Sequence, residues 1–209
     1  MRDDLIRDLK VVVEFAGLIR RLTGIAGWLA EEEGYFLYRL ARDGEGAGEV
    51  VEIGSWMGRS TAWLAAGCKT AARERVHAVD TFAGSAEHQE LDVLKREGTT
   101  YHQFAENLER VDLFDYVEPV VASSRDAERR WDGKPIRLLF IDGDHSYQAV
   151  RADFESWSRH VIVGGMIVFD DVIDNWPGVK RCFEEVTAQD ELWEKYGGIG
   201  KVRAVRRAK

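Results

Sequence analysis

Asp142, His145, Asp170 and Asp171 stand just past two apolar runs of a 209-residue chain, and their types suit proton transfer and cation binding. The runs are Leu138-Leu139-Phe140-Ile141, leading into Asp142-Gly143-Asp144-His145, and Met166-Ile167-Val168-Phe169, leading into Asp170-Asp171. Continuous apolar runs of this kind predict strands buried on both faces. As neighbours in one sheet they would gather Asp142, Asp170 and Asp171 at their tips, where like charges are costly unless a cation joins them. Oxygen donors favour Mg2+, Mn2+ or Ca2+, with water completing the shell, so these three are the candidate metal ligands. The competing reading is a set of helix caps and solvated loop acids. His145, three residues past Asp142, is placed to act as a base, and Asp142 is the second catalytic candidate. The other histidines, His77, His88, His102 and His160, read as structural.

A second constellation follows the first apolar run of the middle of the chain, Val50–Ile53. The stretch Glu52-Ile53-Gly54-Ser55-Trp56-Met57-Gly58-Arg59-Ser60-Thr61 has two glycines for a tight turn and close backbone approach. Ser60-Thr61 then open a helix whose first amide hydrogens face a ligand. The spacing G-x-x-x-G is neither the dinucleotide fingerprint nor a phosphate loop, so a pyrophosphate is not the obvious ligand. The next run, Val76–Val79, ends at Asp80-Thr81, with Asp80 placed 80 − 54 = 26 residues after Gly54. An acid there can accept from both hydroxyls of a ribose, or it can cap the next turn.

Elements of an α/β chain must hold these groups. Leu5, Leu9, Val12, Ala16 and Ile19 recur at helical spacing over residues 3–22, and a second helical pattern runs from Trp28 to Arg42, stopped by Gly44, Gly46 and Gly48. Short β-rich runs at Val50–Ile53, Val76–Val79, Val117–Val121, Ile136–Ile141 and Val161–Phe169 then alternate with helical stretches at Ser60–Ala71, Thr100–Val111, Ser124–Trp131 and Ser146–Arg159. That alternation predicts parallel βα units. The end, Trp193 to Gly200 and Lys201 to Arg206, predicts a hairpin that closes the sheet antiparallel. The expected fold is a Rossmann-like, doubly wound, mostly parallel seven-stranded sheet with two extra N-terminal helices. It forms one domain over 1–209, with 1–45 as a helical lid or cap and 46–209 as the core. Ligands of such sheets bind beyond the carboxyl ends of the strands.

Composition narrows the partners. Apolar residues are 45% and charged residues 32%, which suits a folded core, and the net charge of 29 − 37 = −8 argues against a nucleic acid backbone as partner. Cys68 and Cys182 are too few for a disulfide framework and fit a reducing, cytoplasmic compartment. No signal-like apolar stretch follows the N-terminal charges, and the longest apolar run, Val161 to Phe169, is far below the ~20 residues that span a bilayer. A homo-oligomer is one option that the sequence leaves open. Lys201 to Lys209 has five positive residues and reads as an exposed strand that resists edge pairing, with an RNA contact as the rival. Glu31-Glu32-Glu33 reads as a solvated helix face, with a substrate gate as the sharper option. Trp56 and Trp176 read as core before pocket lining, and Tyr147, Val150, Phe154 and Trp157 as the buried face of their helix.

Taken together, the turn at Glu52–Thr61, Asp80, and the pair Ile141-Asp142-Gly143-Asp144-His145-Ser146-Tyr147 and Phe169-Asp170-Asp171-Val172 resemble the class I S-adenosylmethionine-dependent methyltransferases of the metal-dependent O-methyltransferase type. The likeness is closer to small bacterial enzymes that methylate antibiotic sugars, with the cephalosporin-hydroxylase-like proteins among them, than to catechol O-methyltransferases. Catechol enzymes have a lysine base where His145 stands, and Asp171 replaces an Asn common in that branch. The resemblance covers roughly residues 27–180.

What the resemblance implies is an S-adenosylmethionine site made by Glu52, Gly54, Ser55, Trp56, Gly58, Ser60, Thr61, Asp80, Thr81 and Asp142, with Ser123 and Ser124 at the adenine edge. It implies a divalent ion, Mg2+ or else Mn2+ or Ca2+, on Asp142, Asp170 and Asp171, with 170 − 142 = 28 residues between the first two. A substrate hydroxyl on that ion would lose its proton to His145 and attack the sulfonium methyl. The acceptor would be a sugar or another vicinal diol of a natural product. Two rivals remain at this level: a nicotinamide-dependent oxidoreductase on the same sheet, and a non-catalytic cofactor-binding or assembly protein.

Overall fold

The apolar runs of the middle of the chain all become strands, because each is long enough to cross a sheet and offers side chains to both of its faces. The computed structural model describes residues 2–84, 92–189 and 191–209. Its strands are β1 (Glu49–Ile53), β2 (Val76–Asp80), β3 (Val117–Val121), β4 (Ile136–Ile141), β5 (Val161–Phe169), β6 (Trp193–Ile199) and β7 (Val202–Arg207). They form one sheet in the order β3-β2-β1-β4-β5-β7-β6, parallel from β3 to β5, with β7 antiparallel to both β5 and β6. The chain builds outward from β1 to β3 and then returns to place β4 on the other side of β1. That reversal opens a crevice at the carboxyl ends of β1 and β4.

Alternation along the strands divides the core in two. Val50, Leu138, Phe140 and Val168 pack with Trp63, Leu64, Phe104 and Leu108 on one face. Val51, Leu139, Ile141, Ile167 and Phe169 pack with Phe154, Trp157 and Phe183 on the other. The first face is covered by α2 (Glu31–Asp43), α3 (Arg59–Ala71) and α5 (Tyr101–Arg110), with the long α1 (Arg2–Leu22) packed outside them. The second is covered by α6 (Ser124–Arg129), α7 (Tyr147–Trp157) and α8 (Pro177–Gln189). A short helix, α4 (Asp92–Glu97), precedes α5. Among the described residues no helix is long and apolar enough to cross a membrane. Cys68 and Cys182 are buried free thiols, and His88 lies outside the described residues.

Four expectations need correction. First, β7 is no exposed edge: it lies between β5 and β6, with Val202, Ala204 and Val205 buried while its arginines run out along the surface. Alternating charge marks a strand with one wet side, and here that side faces outward from an interior strand. Second, Glu33 is buried, because its carboxylate accepts from the amides of Ala30 and Lys201, so only part of the Glu31–Glu33 run is a solvated face. Third, α1 packs through Phe15, Leu18, Ile19 and Leu22, whereas Leu9 and Val12 are exposed. Fourth, α8 forms without having been foreseen, although Val179, Cys182, Phe183 and Val186 recur at helical spacing behind a first-turn proline.

Candidate active site

The turn after β1 is built by one carboxylate. Asp80 Oδ2 accepts from the amides of Ser55 and Trp56, each at 2.8 Å, and Oδ1 accepts from the Phe82 amide at 2.7 Å. These bonds hold Trp56 (φ 49°) and Phe82 (φ 56°) in the left-handed region that non-glycine residues avoid. Gly54 is required for a different reason. At φ +88° its backbone presses against β4, where an added Cβ would meet the Asp142 carbonyl oxygen at 2.0 Å. Glu52 and Thr61 lie under this turn: Glu52 is fully buried and accepts from the Thr61 hydroxyl, and burial pushes its carboxyl up to about 7. Gly58, in the left-handed conformation, caps α3.

Above the turn opens a cavity of about 900 Å3. It gathers most of the residues singled out from the sequence: Gly54, Ser55, Trp56 and Ser60, then Asp80 and Thr81, Ser123 and Ser124, Asp142 and His145, and Asp170 and Asp171. Glu52, Gly58 and Thr61 do not line it and act from beneath. Ser123 caps α6, accepting from the Asp126 amide at 3.1 Å, and the Ser124 hydroxyl accepts from the Trp157 indole at 3.0 Å. Trp56, which the resemblance put in the cofactor site, and Trp176, for which core was the first reading, both line the cavity, as does the exposed Trp28, whose ring lies 6.0 Å from that of Trp56. Asp153 of α7 also reaches the wall, and burial pushes its carboxyl up to about 6.

At the ends of β4 and β5 the three acids do meet, and a cation lies among them. It is Lys201, from the turn between β6 and β7: its Nζ donates to Asp170 Oδ2 at 2.8 Å and to Asp171 Oδ1 at 2.9 Å. Asp171 Oδ2 pairs with His145 Nε2 at 3.0 Å, and the imidazole stacks on Trp176 with centroids 4.0 Å apart. Burial and the neighbouring Asp170 charge raise the Asp142 carboxyl above its usual range. Burial raises Asp170 as well, against the pull of Lys201. Asp171 goes the other way: burial pushes it up, but hydrogen bonds from His145 and Lys201 outweigh that and hold it low. Burial pulls the Lys201 ammonium down, and Asp170 and Asp171 more than reverse it, so the group is firmly charged.

Asp142, His145 and Asp171 each offer a ligand atom within 4.8 Å of the others, while Asp170 is outside that set. The three carboxylates suggested by the sequence do not fit a shared ion as they stand. Both oxygens of Asp171 have partners, and an ammonium fills the bridge between Asp170 and Asp171. Lys201 and Trp28 are among the cavity-lining residues that sequence reasoning missed. The lysine reads as one more charge in a basic tail, and only its placement after Gly200 in a tight hairpin hinted at a fixed direction.

Comparisons with known proteins agree with this fold. A family model described as a methyltransferase domain matches residues 51–172. One curated relative, the uncharacterized protein R132 of Acanthamoeba polyphaga mimivirus, is 28% identical over 158 residues, which is 72% of this chain and 66% of that protein, so the chain spans just under two thirds of its length. Among solved structures, the O-methyltransferase NovP superposes with a TM-score of 0.69 at 19% identity, over 88% of this chain and 84% of that one. The O-methyltransferase from Bacillus cereus, in complex with S-adenosylhomocysteine, gives 0.60 at 24% identity over 95% and 89%. TomG from Streptomyces achromogenes, an O-methyltransferase of tomaymycin synthesis, gives 0.65 at 17% identity over 95% and 90%. At such identities the likeness is one of fold. The family match, by contrast, takes in more than half of the chain, from β1 to the end of β5 with both acidic strand tips, and the chain belongs to this methyltransferase domain family.

Proposed function

We propose that the protein transfers a methyl group from S-adenosylmethionine to a hydroxyl of a small molecule, a sugar or other oxygen-rich natural product being the class favoured. The observation that carries this reading is His145, oriented by Asp171 at 3.0 Å and by the Trp176 ring, on the wall of the cavity that the Gly54 turn also lines. S-Adenosylmethionine, when bound, supplies an electrophilic sulfonium methyl. The Gly54 turn gives it close backbone approach, Asp80 keeps that turn in shape with one lone-pair site left on Oδ1 for the ribose, and Ser123 and Ser124 face its base. His145 takes the hydroxyl proton as the oxygen bonds to the methyl carbon and the methyl–sulfur pair stays on sulfur. Alignment of the two reactants in one cavity contributes ~7–11 kcal/mol in well-ordered cases. Metal assistance, the finer reading that the acid cluster suggested, would place an ion on Asp142, Asp170 and Asp171 and lower the hydroxyl pKa with His145 still the base, but it requires Asp170 and Asp171 to give up Lys201.

Thermal unfolding with S-adenosylhomocysteine, and separately with NAD, tests the cofactor. A ligand at 100 times its Kd adds ~2.7 kcal/mol, several degrees at this chain length. A shift with S-adenosylhomocysteine alone is expected, followed by formation of that product from S-adenosylmethionine in a screen of sugar and catechol acceptors. A shift with NAD alone overturns the methyl-transfer reading.

A further inference from the structure

We propose that Lys201 is the resident cation of this site: its ammonium takes the place of a divalent ion between Asp170 and Asp171 and offers its remaining donor to the acceptor oxygen. The acceptor half of this rests on the methyl-transfer reading; the cation half does not.

The lysine is aimed, and its backbone is held from both sides. The Lys201 amide donates to Glu33 Oε1 at 2.8 Å, and its carbonyl accepts from the Val172 amide at 2.9 Å, next to Asp171 itself. Glu33 is fixed in turn by the Ala30 amide at 2.8 Å on its other oxygen. Gly200, at φ +53°, brings the turn against that carboxylate: a Cβ there would lie 2.2 Å from Glu33 Oε1. So the start of α2, the end of β5 and the β6–β7 turn converge on one side chain. A solvated basic tail needs no such anchoring.

Its surroundings ask for positive charge. The Lys201 side chain is 18% exposed, and those of Asp170 and Asp171 are 3% and 11% exposed. Asp170 Oδ1 is buried and accepts no hydrogen bond among the described residues, so its negative charge is answered by the ammonium on its other oxygen. An ammonium has three donors, and two go to the carboxylates. Lys201 also lines the cavity beside His145, where the third donor can meet an oxygen of the acceptor. A point charge with one donor left binds one oxygen, whereas a metal chelates two adjacent ones. The acceptor therefore needs no vicinal diol.

The test uses Mn2+ as probe, with calorimetry or the spin resonance of free Mn2+ as readout, on full-length protein saturated with S-adenosylhomocysteine. The wild type is expected to show no Mn2+ binding below about 1 mM, and chelator is expected to leave methyl transfer unchanged. Lys201→Met vacates the bridge and is expected to bind Mn2+ at least about tenfold more tightly, a gain that Asp170→Asn removes again. Lys201→Arg keeps the charge and stays silent toward Mn2+. S-Adenosylhomocysteine binding reports folding in every variant, so its loss everywhere marks failure of the methyl-transfer reading. Failure of the present one looks different. Tight Mn2+ binding by the wild type overturns it, and so does a folded Lys201→Met that binds no more Mn2+ than the wild type. Should that variant not fold, the wild-type titration with its chelator control decides alone.

Discussion

Two aspartate sites about one crevice solve the same problem with different partners. After β2, Asp80 accepts from three main-chain amides, at Ser55, Trp56 and Phe82, and so becomes part of the backbone's own hydrogen bonding. After β5, Asp171 is held by side chains instead, the Lys201 ammonium and the His145 imidazole. Amide donors cannot leave without unfolding the turn, which suits a surface that must keep one shape for a cofactor. Side-chain partners leave the backbone out of the bond, and an imidazole among them can exchange a proton, which would suit the methyl-transfer step proposed above. The residue type is identical; the donors around it divide structure from chemistry.

Three variants bear on that contrast. The largest effect is expected from His145→Ala, a loss of ~10²–10⁴ in methyl transfer with S-adenosylhomocysteine affinity kept. Equal loss of binding and turnover would join the two regions into one unit and break the comparison. Next comes Glu52, whose carboxyl is raised to about 7 by burial under the turn. The folded chain holds a proton there that the unfolded chain has released, so stability falls as pH rises from the ordinary carboxylate range to about 7 and then levels. Glu52→Gln should flatten that slope and add ~2–3 kcal/mol at pH 8, read by urea unfolding across pH. The smallest effect belongs to Asp80→Asn, which retains one acceptor oxygen and loses the other: ~1–2 kcal/mol of stability and weaker S-adenosylhomocysteine binding are expected in the same titrations. An Asp80→Asn protein with full stability but no cofactor binding would make Asp80 a ligand before a turn lock.

Much of this was legible in residue order. The strands at Ile136–Ile141 and Val161–Phe169 end where their apolar runs end, because a buried strand stops when the chain turns polar. The glycine turn and the acids at strand tips could be read for the same reason, since a parallel sheet sends every carboxyl end to one side. Tryptophans were harder. Trp63 and Trp157 are buried while Trp28, Trp56 and Trp176 edge the cavity, and spacing does not distinguish a ring that meets protein from one that meets a ligand.

By itself, then, the sequence determined which segments are strands, which turn must hold glycine, and that acids would crowd at two neighbouring tips. Those are local facts: side-chain period, allowed φ, and charge. The tertiary structure alone decided what answers those charges. Lys201 lies 201 − 171 = 30 residues beyond Asp171 and reaches it only because β7 turns back antiparallel beside β5, with Gly200 seated on Glu33. Coulomb attraction and the cost of burial both depend on distance and depth rather than on order along the chain, so the partner of a carboxylate is settled only when the sheet is closed.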